Sequence, residues 1–243
     1  MARLDQILEL AVRFFPGLQD RAAIPARLLL IAIGFLPITL IGVSTFGVPL
    51  LGLAEFVLLP ALLIGAYVLV RYRWAPNLVA TAMVAGVLAT ASYDLVRFAF
   101  LWTGLMNVDP IPHIGATLHM KPAWTFGYLW RYAGNGAGLS IAFSCLGLRR
   151  LREGLLFGLF VCGGLITLLI VAPFGQQDLF PLNVTTVIML TLGHLTFGAG
   201  LVGFRRVLHR ASGDGPLAAA TSPTTHALDQ DLPAGEPVLT TAA

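Results

Sequence analysis

Charged residues are scarce in this chain: they make up 11% of its 243 residues, against about 25% in an average soluble domain. So few charges cannot cover a surface that faces water. With 57% hydrophobic residues and a mean hydropathy of +0.82, the composition is that of a protein whose outer surface faces lipid. The apolar runs are long and continuous, whereas barrel strands alternate over about ten residues. The spanning elements are therefore predicted to be helices.

Other features are rare or missing. The two cysteines, Cys145 and Cys162, form no CxxC pair, which argues against a redox centre or a thiolate metal site. Lys121 is the only lysine, and the net charge of +3 does not indicate nucleic acid, because the basic residues gather at the ends of predicted helices. No GxSxG, phosphate-binding loop or dinucleotide fingerprint is present. The sequence predicts no cofactor and no nucleic-acid partner.

Six segments reach the roughly 20 apolar residues that a membrane-spanning helix needs. They are predicted at 27–46, 50–70, 77–105, 124–147, 154–173 and 183–204. Arginines lie before the first segment and after the second, fourth and sixth, whereas the alternate loops carry almost no basic residue. Because basic residues favour the cytoplasmic side, both termini are predicted there. The expected fold class is an all-α, six-helix integral membrane bundle occupying 27–209.

Both ends of the chain differ from this core. Residues 1–26 are predicted to form an amphipathic cytoplasmic-surface segment that begins with a short helix, because their first apolar residues recur on one helical face. An alternative is that this segment packs as a cap on the protein itself. Residues 210–243 are rich in Ala, Thr, Pro, Gly and Asp, and have no aromatics or periodicity. Such a composition predicts a disordered cytoplasmic tail.

The stretch ATASYDLVRFAFLW, residues 89–102, places Asp94 and Arg97 one turn apart inside the third predicted span. At 1.5 Å per residue, Asp94 lies about 25 Å from the cytoplasmic end of that span. Further polar residues of the spans lie in the same outer half or, for His194, near the midplane. The predicted polar cluster consists of Glu55, Tyr93, Asp94, Arg97, Arg131, Asn135 and His194.

Two interpretations of this cluster remain open. Charged groups inside a membrane cost roughly 3 kcal/mol each, so they must be paired or in contact with water. Glu55 and Asp94 balance Arg97 and Arg131, which favours an ion-pair network joining the second, third and fourth spans. The same residues would also suit a cavity open to the outer face, where an arginine could meet an anionic head group.

The outer loop 107–123 contains three residues of types that bind metals: Asp109, His113 and His119. His194, near the membrane midplane, could complete such a set of ligands from the membrane side of the loop. The two loop histidines are six residues apart among prolines and a glycine, and no HExxH is present. The spacing therefore predicts no metal site, and the three residues stay as candidates only.

Two stretches show a resemblance. GVLATASYDLVR, followed by DPIPHIGATL, resembles an AxxYDxxR-like helix and outer loop of uncharacterised small multi-pass bacterial inner-membrane proteins. LGHLTFGAGLVGF resembles the GHxxxG-like last helix of the same group. The resemblance spans about 86–205 and implies a fold and a location in a bacterial cytoplasmic (inner) membrane, but no activity. It draws attention to Tyr93, Asp94, Arg97 and His194.

Three classes of function follow from these observations. The first is a non-enzymatic membrane subunit, or a component that binds a lipid or small anionic ligand at the outer face, with a protein partner or as a homo-oligomer. The second is a transporter or channel component. The third is an enzyme acting on a lipid-linked substrate at the outer leaflet, with Asp94 or Glu55 as base and Arg97 or Arg131 as anion clamp.

Overall fold

A computed structural model describes residues 14–211, which are helical and contain no strand. Two short 3₁₀ turns, Pro16–Leu18 and Arg21–Ala23, precede the helices. The helices are α1 (Ile24–Ser44), α2 (Leu50–Arg71), α3 (Ala75–Trp102), α4 (Ile111–Thr117), α5 (123–145), α6 (Leu151–Val171), α7 (Gly175–Asp178) and α8 (Val184–Ala211). The amphipathic helix predicted at the N-terminus and the tail predicted after residue 210 fall almost entirely outside the described residues.

Five of these helices are long and apolar enough to cross a membrane: α1, α2, α3, α6 and α8. The prediction of a helical protein suited to a lipid environment is thereby confirmed. The predicted span 124–147 is also helical, as α5, but it is not among the five. Arg131, Asn135 and several glycines lower its mean hydropathy. Composition and length therefore identify five candidate spans in the described residues and not the six that the sequence predicts.

Helix α5 packs against α1 and α3, and glycines set how closely the backbones approach. A Cβ added at Gly138 would collide with the carbonyl oxygen of Gly34 in α1, and one at Gly86 in α3 would collide with that of Gly136. Small residues of this kind allow membrane helices to touch along their backbones. The polar residues of α5 are consequently held between two apolar helices.

Helix α2 lies at the periphery. Only 11% of its most apolar stretch is buried, against 44% for α3 and α8. Its exposed side chains are large and apolar, among them Phe56, Leu63 and Val70, which suits a surface in contact with lipid chains. Its Ala54–Leu58 segment is a π-helical turn, placed just before Pro60, which has no N–H to donate to the preceding turn.

Candidate functional site

Asp94 and Arg97 form the centre of a buried polar network. Both side chains lie on α3, and the Arg97 guanidinium is completely buried, while Asp94 is 2% exposed. Arg97 Nε donates to Asp94 Oδ1 over 3.1 Å. The spacing of three residues puts the two groups on one helical face, as the sequence predicts.

Helix α5 supplies the other partners of Asp94. Arg131 donates to Asp94 Oδ1 through Nε, over 2.8 Å, and also through Nη2. The Tyr132 hydroxyl donates to Asp94 Oδ2 over 3.0 Å. Both residues belong to the π-helical segment Trp130–Gly136, whose wider turn brings consecutive side chains to the same carboxylate.

The outer end of Arg97 is held by Asp109 and Tyr128. Arg97 Nη1 contacts Asp109 Oδ1, and Nη2 donates to the Tyr128 hydroxyl over 2.8 Å. That hydroxyl in turn donates to Asp109 Oδ2 over 2.9 Å. The Ile111 amide donates to Asp109 Oδ1 over 3.0 Å, which fixes the loop before α4 over the end of α3.

Two carboxylates thus face two guanidiniums, and the formal charge of the network is zero. Sequence reasoning paired the arginines with Glu55 and Asp94, but the second carboxylate is that of Asp109. Glu55 is exposed on the peripheral helix α2 and has no ion pair within residues 14–211. The network therefore joins α3, α5 and the loop before α4, and α2 takes no part in it.

Four of the predicted residues line a cavity beside this network. The Arg131 guanidinium lies over one face of the Tyr93 ring, with its Cζ 4.5 Å from the ring centroid. The ring also packs at right angles against His194, with centroids 5.0 Å apart. Tyr93, Arg131, Asn135 and His194 are the predicted residues that border the cavity, and Thr90 is a further polar residue in its wall.

The cavity has a volume of about 90 Å³. Because one water needs roughly 10–15 Å³ measured in this way, it has room for several waters or for the polar end of a ligand. The rest of its wall is mainly apolar and comes from α1, α4, α5, α6, α8 and the loops before α4 and α8. A largely apolar pocket with a few convergent polar groups is typical of a small-molecule site.

Two polar groups on this wall are free to accept hydrogen bonds. Asn135 Oδ1 is buried and has no hydrogen-bond partner among the described residues. His194 Nδ1 donates to the Leu190 carbonyl oxygen over 2.7 Å, so in the neutral ring Nε2 is an acceptor. A buried acceptor without a donor costs about 1–3 kcal/mol. A ligand that donates hydrogen bonds would remove this cost.

The three loop residues considered as metal ligands do not come together. Asp109 is engaged by Arg97, and His113 Nε2 lies 3.5 Å from Asp178 Oδ1 in an exposed pair. His119 is exposed and adopts a positive φ of 54°. Within residues 14–211, no group of three His, Cys, Asp or Glu side chains is arranged to hold a metal ion.

Sequence reasoning missed Tyr128 and Tyr132. A signal for them exists, because residues 128, 131, 132 and 135 follow the spacing of one helical face. Arg131 and Asn135 attracted attention as polar residues in an apolar segment, whereas tyrosines are common near membrane interfaces and did not.

Comparison of the chain with protein-family models, with curated proteins and with solved structures finds no match. The interpretation of the site therefore rests on its own geometry.

Proposed function

We propose that this chain is a non-enzymatic binding component of a bacterial cytoplasmic membrane that holds a lipid or small solute in the cavity beside Arg131. The observation that carries the proposal is the unpartnered Asn135 Oδ1 in the cavity wall, next to a charged network that is already satisfied. Most buried polar groups in proteins have a hydrogen-bond partner. An acceptor left without one, on a residue that lines a cavity of this size, supports a binding role.

The proposal includes six membrane crossings with both termini in the cytoplasm. Support comes from the way the basic residues gather at one end of the helices. Arg205 Nη1 donates to the Leu148 carbonyl oxygen over 3.1 Å, and Arg206 Nη2 donates to that of Arg149 over 3.0 Å. The Gly17 amide donates to the Leu146 carbonyl oxygen over 3.1 Å at the same end. By the positive-inside rule this end faces the cytoplasm, and the cavity then lies in the outer half of the membrane.

This orientation predicts opposite reactivity at two exposed positions. We expect Met120→Cys, in the loop after α4, to react with a membrane-impermeant maleimide added to intact cells. Arg150→Cys, before α6, should react only after the cells are permeabilised. The native Cys145 and Cys162 are buried, so background labelling should be low. Labelling of Arg150→Cys in intact cells would reverse the proposed orientation.

Ligand binding is tested on protein purified gently in a mild detergent, by native mass spectrometry with metal analysis of the same sample. We expect a defined extra mass on the wild-type chain and a loss of about tenfold in occupancy for Asn135→Leu. One hydrogen bond contributes about 0.5–1.5 kcal/mol, and 1.4 kcal/mol corresponds to a factor of ten in affinity.

Asn77→Leu serves as the matched control, because Asn77 is exposed in the first turn of α3, away from the cavity. The empty Asn135→Leu protein should also melt no lower than wild type, since the substitution removes an unsatisfied buried oxygen. A bare wild-type chain of 25.9 kDa, or a multiple of that mass, would contradict the proposed function.

A further inference from the structure

An apolar groove lies between α1 and α6, on the outer surface of the bundle. Its volume is about 370 Å³, and it shares Ile38, Val161, Leu165 and Leu168 with the wall of the polar cavity. The groove and the cavity therefore adjoin across these four side chains. The lining of the groove is Phe35, Ile38, Thr39, Gly42, Val43, Phe46, Phe160, Val161, Gly164, Leu165 and Leu168.

Two contacts border the groove, and part of its side is exposed. At one end the Phe35 ring packs against Phe160, with centroids 6.3 Å apart. At the other end the Phe174 amide donates to the Thr45 carbonyl oxygen over 3.1 Å, which ties the end of α1 to the loop after α6. Between these contacts Gly164 is exposed at the surface. Access is thus from the side, where lipid surrounds the protein.

The dimensions and chemistry of the groove fit one hydrocarbon chain. From Phe35 to Val43 it follows α1 for about 12 Å at 1.5 Å per residue, and Phe46 extends the lining beyond the end of the helix. Half of a hydrocarbon core of about 30 Å is the depth of one leaflet. Thr39 is the only polar side chain in the lining, and its hydroxyl already donates to the Phe35 carbonyl oxygen over 2.9 Å. The groove side chains therefore offer no free hydrogen-bond donor to an occupant.

The cavity defines the other end of the ligand. Arg97 and Arg131 are already neutralised by Asp94 and Asp109, so an anionic head group would meet no uncompensated positive charge. The groups left to bind are the Asn135 amide, whose oxygen accepts and whose NH2 group donates, and the second nitrogen of His194, which accepts. A hydroxyl can both donate and accept, and it is an uncharged polar group that membrane lipids carry.

We propose, building on the proposed function, that the ligand is an uncharged, hydroxyl-headed lipid of the outer leaflet, with one chain in the groove between α1 and α6 and its hydroxyl at Asn135 and His194. The lipid reaches the site laterally from the bilayer. The four residues shared by the groove and the cavity lie between the hydrocarbon chain of the lipid and its hydroxyl.

The test uses the full chain in detergent and native mass spectrometry with three probes: 1-oleoylglycerol, oleoyl lysophosphatidic acid and glycerol. We expect 1-oleoylglycerol to bind at least tenfold more tightly than either of the others, because the second probe has a charged head and the third has no chain.

Two glycine variants on α6 isolate the role of the groove. Gly164→Leu should reduce 1-oleoylglycerol binding at least tenfold, because the new side chain enters the groove. A Cβ at Gly164 meets no atom within 4 Å, so the fold should tolerate it. Gly163→Leu is the matched control: its Cβ is equally free, but Gly163 does not line the groove, so binding should be unchanged.

The outcomes separate the two proposals. Wild type could bind a ligand that Asn135→Leu loses and Gly164→Leu keeps. The hydrocarbon chain of the ligand would then not lie in the groove, so the inference would fail while the proposed function stands. A preference for lysophosphatidic acid would overturn the uncharged head. If the wild-type chain retains none of the probes and carries no extra mass, the proposed function fails and the inference fails with it.

Discussion

Asp94→Asn is expected to lower the free energy of unfolding by about 3–5 kcal/mol, the usual cost of removing one partner from a buried ion pair. The Asp94 carboxylate accepts hydrogen bonds from Arg97, Arg131 and Tyr132, and the Arg97 guanidinium has no exposure through which water could compensate. An asparagine keeps the shape but removes the negative charge and turns an N–H₂ group toward the guanidiniums. The free energy is measured by unfolding in mixed micelles of increasing SDS content.

Glu55→Gln provides the matched control, since it makes the same chemical change on an exposed side chain without an ion pair in the described chain. Its effect should stay within about 0.5 kcal/mol. The double variant Asp94→Asn, Arg131→Met should be more stable than Asp94→Asn alone, because it removes the guanidinium that lost its partner. Normal unfolding of Asp94→Asn would show that the network does not stabilise the fold.

This network and the cavity are not competing explanations of the polar residues. Arg131 belongs to both: its guanidinium is fixed by Asp94 and lies over the Tyr93 ring, and its side chain borders the cavity. The ion pairs therefore hold one wall of the cavity in place, and the residues proposed to bind a ligand are those the network leaves unsatisfied. Asn135 is such a residue, one helical turn from Arg131 on α5.

Part of this site could be predicted from the sequence. Asp94 and Arg97 lie three apart in a helix, and the cost of an unpaired charge in lipid requires each to have a partner. That argument does not say which carboxylate serves Arg97. Glu55 was chosen because it lies within a predicted span, whereas Asp109 lies in a loop whose path depends on the Ile111 amide and on Tyr128.

Sequence reasoning kept a cavity open as one interpretation, but it could not predict which residues form the cavity wall, for a different reason. Its wall combines residues from α1, α3, α5, α6 and α8, and their meeting depends on how each helix is rotated about its axis. On α5 that rotation changes at the π-helical segment Trp130–Gly136, which no simple periodicity predicts. Membership of the membrane class, in contrast, depends only on composition and run length, and these are properties of the sequence itself.

Gly154→Leu is expected to lower the free energy of unfolding by about 3 kcal/mol, the upper end of what overpacking costs. A Cβ at Gly154 in α6 would collide with the Gly198 carbonyl oxygen in α8, and backbone cannot move aside as a side chain can. The helices must separate, and their other contacts loosen with them. Gly163→Leu makes the same substitution on the same helix, where no atom lies within 4 Å, and should leave stability unchanged.

The partner glycine makes this prediction specific to the interface. Gly198→Leu should destabilise the protein by a similar amount, because a Cβ there would collide with the Gly154 carbonyl oxygen. The double variant should cost less than the sum of the two single changes, since the first leucine has already separated the helices that the second would push apart. Full additivity would mean that the two glycines act independently, and the close contact of α6 with α8 would then not be the cause. Because His194 is carried by α8 one turn before Gly198, loss of this contact should also displace His194 and weaken ligand binding.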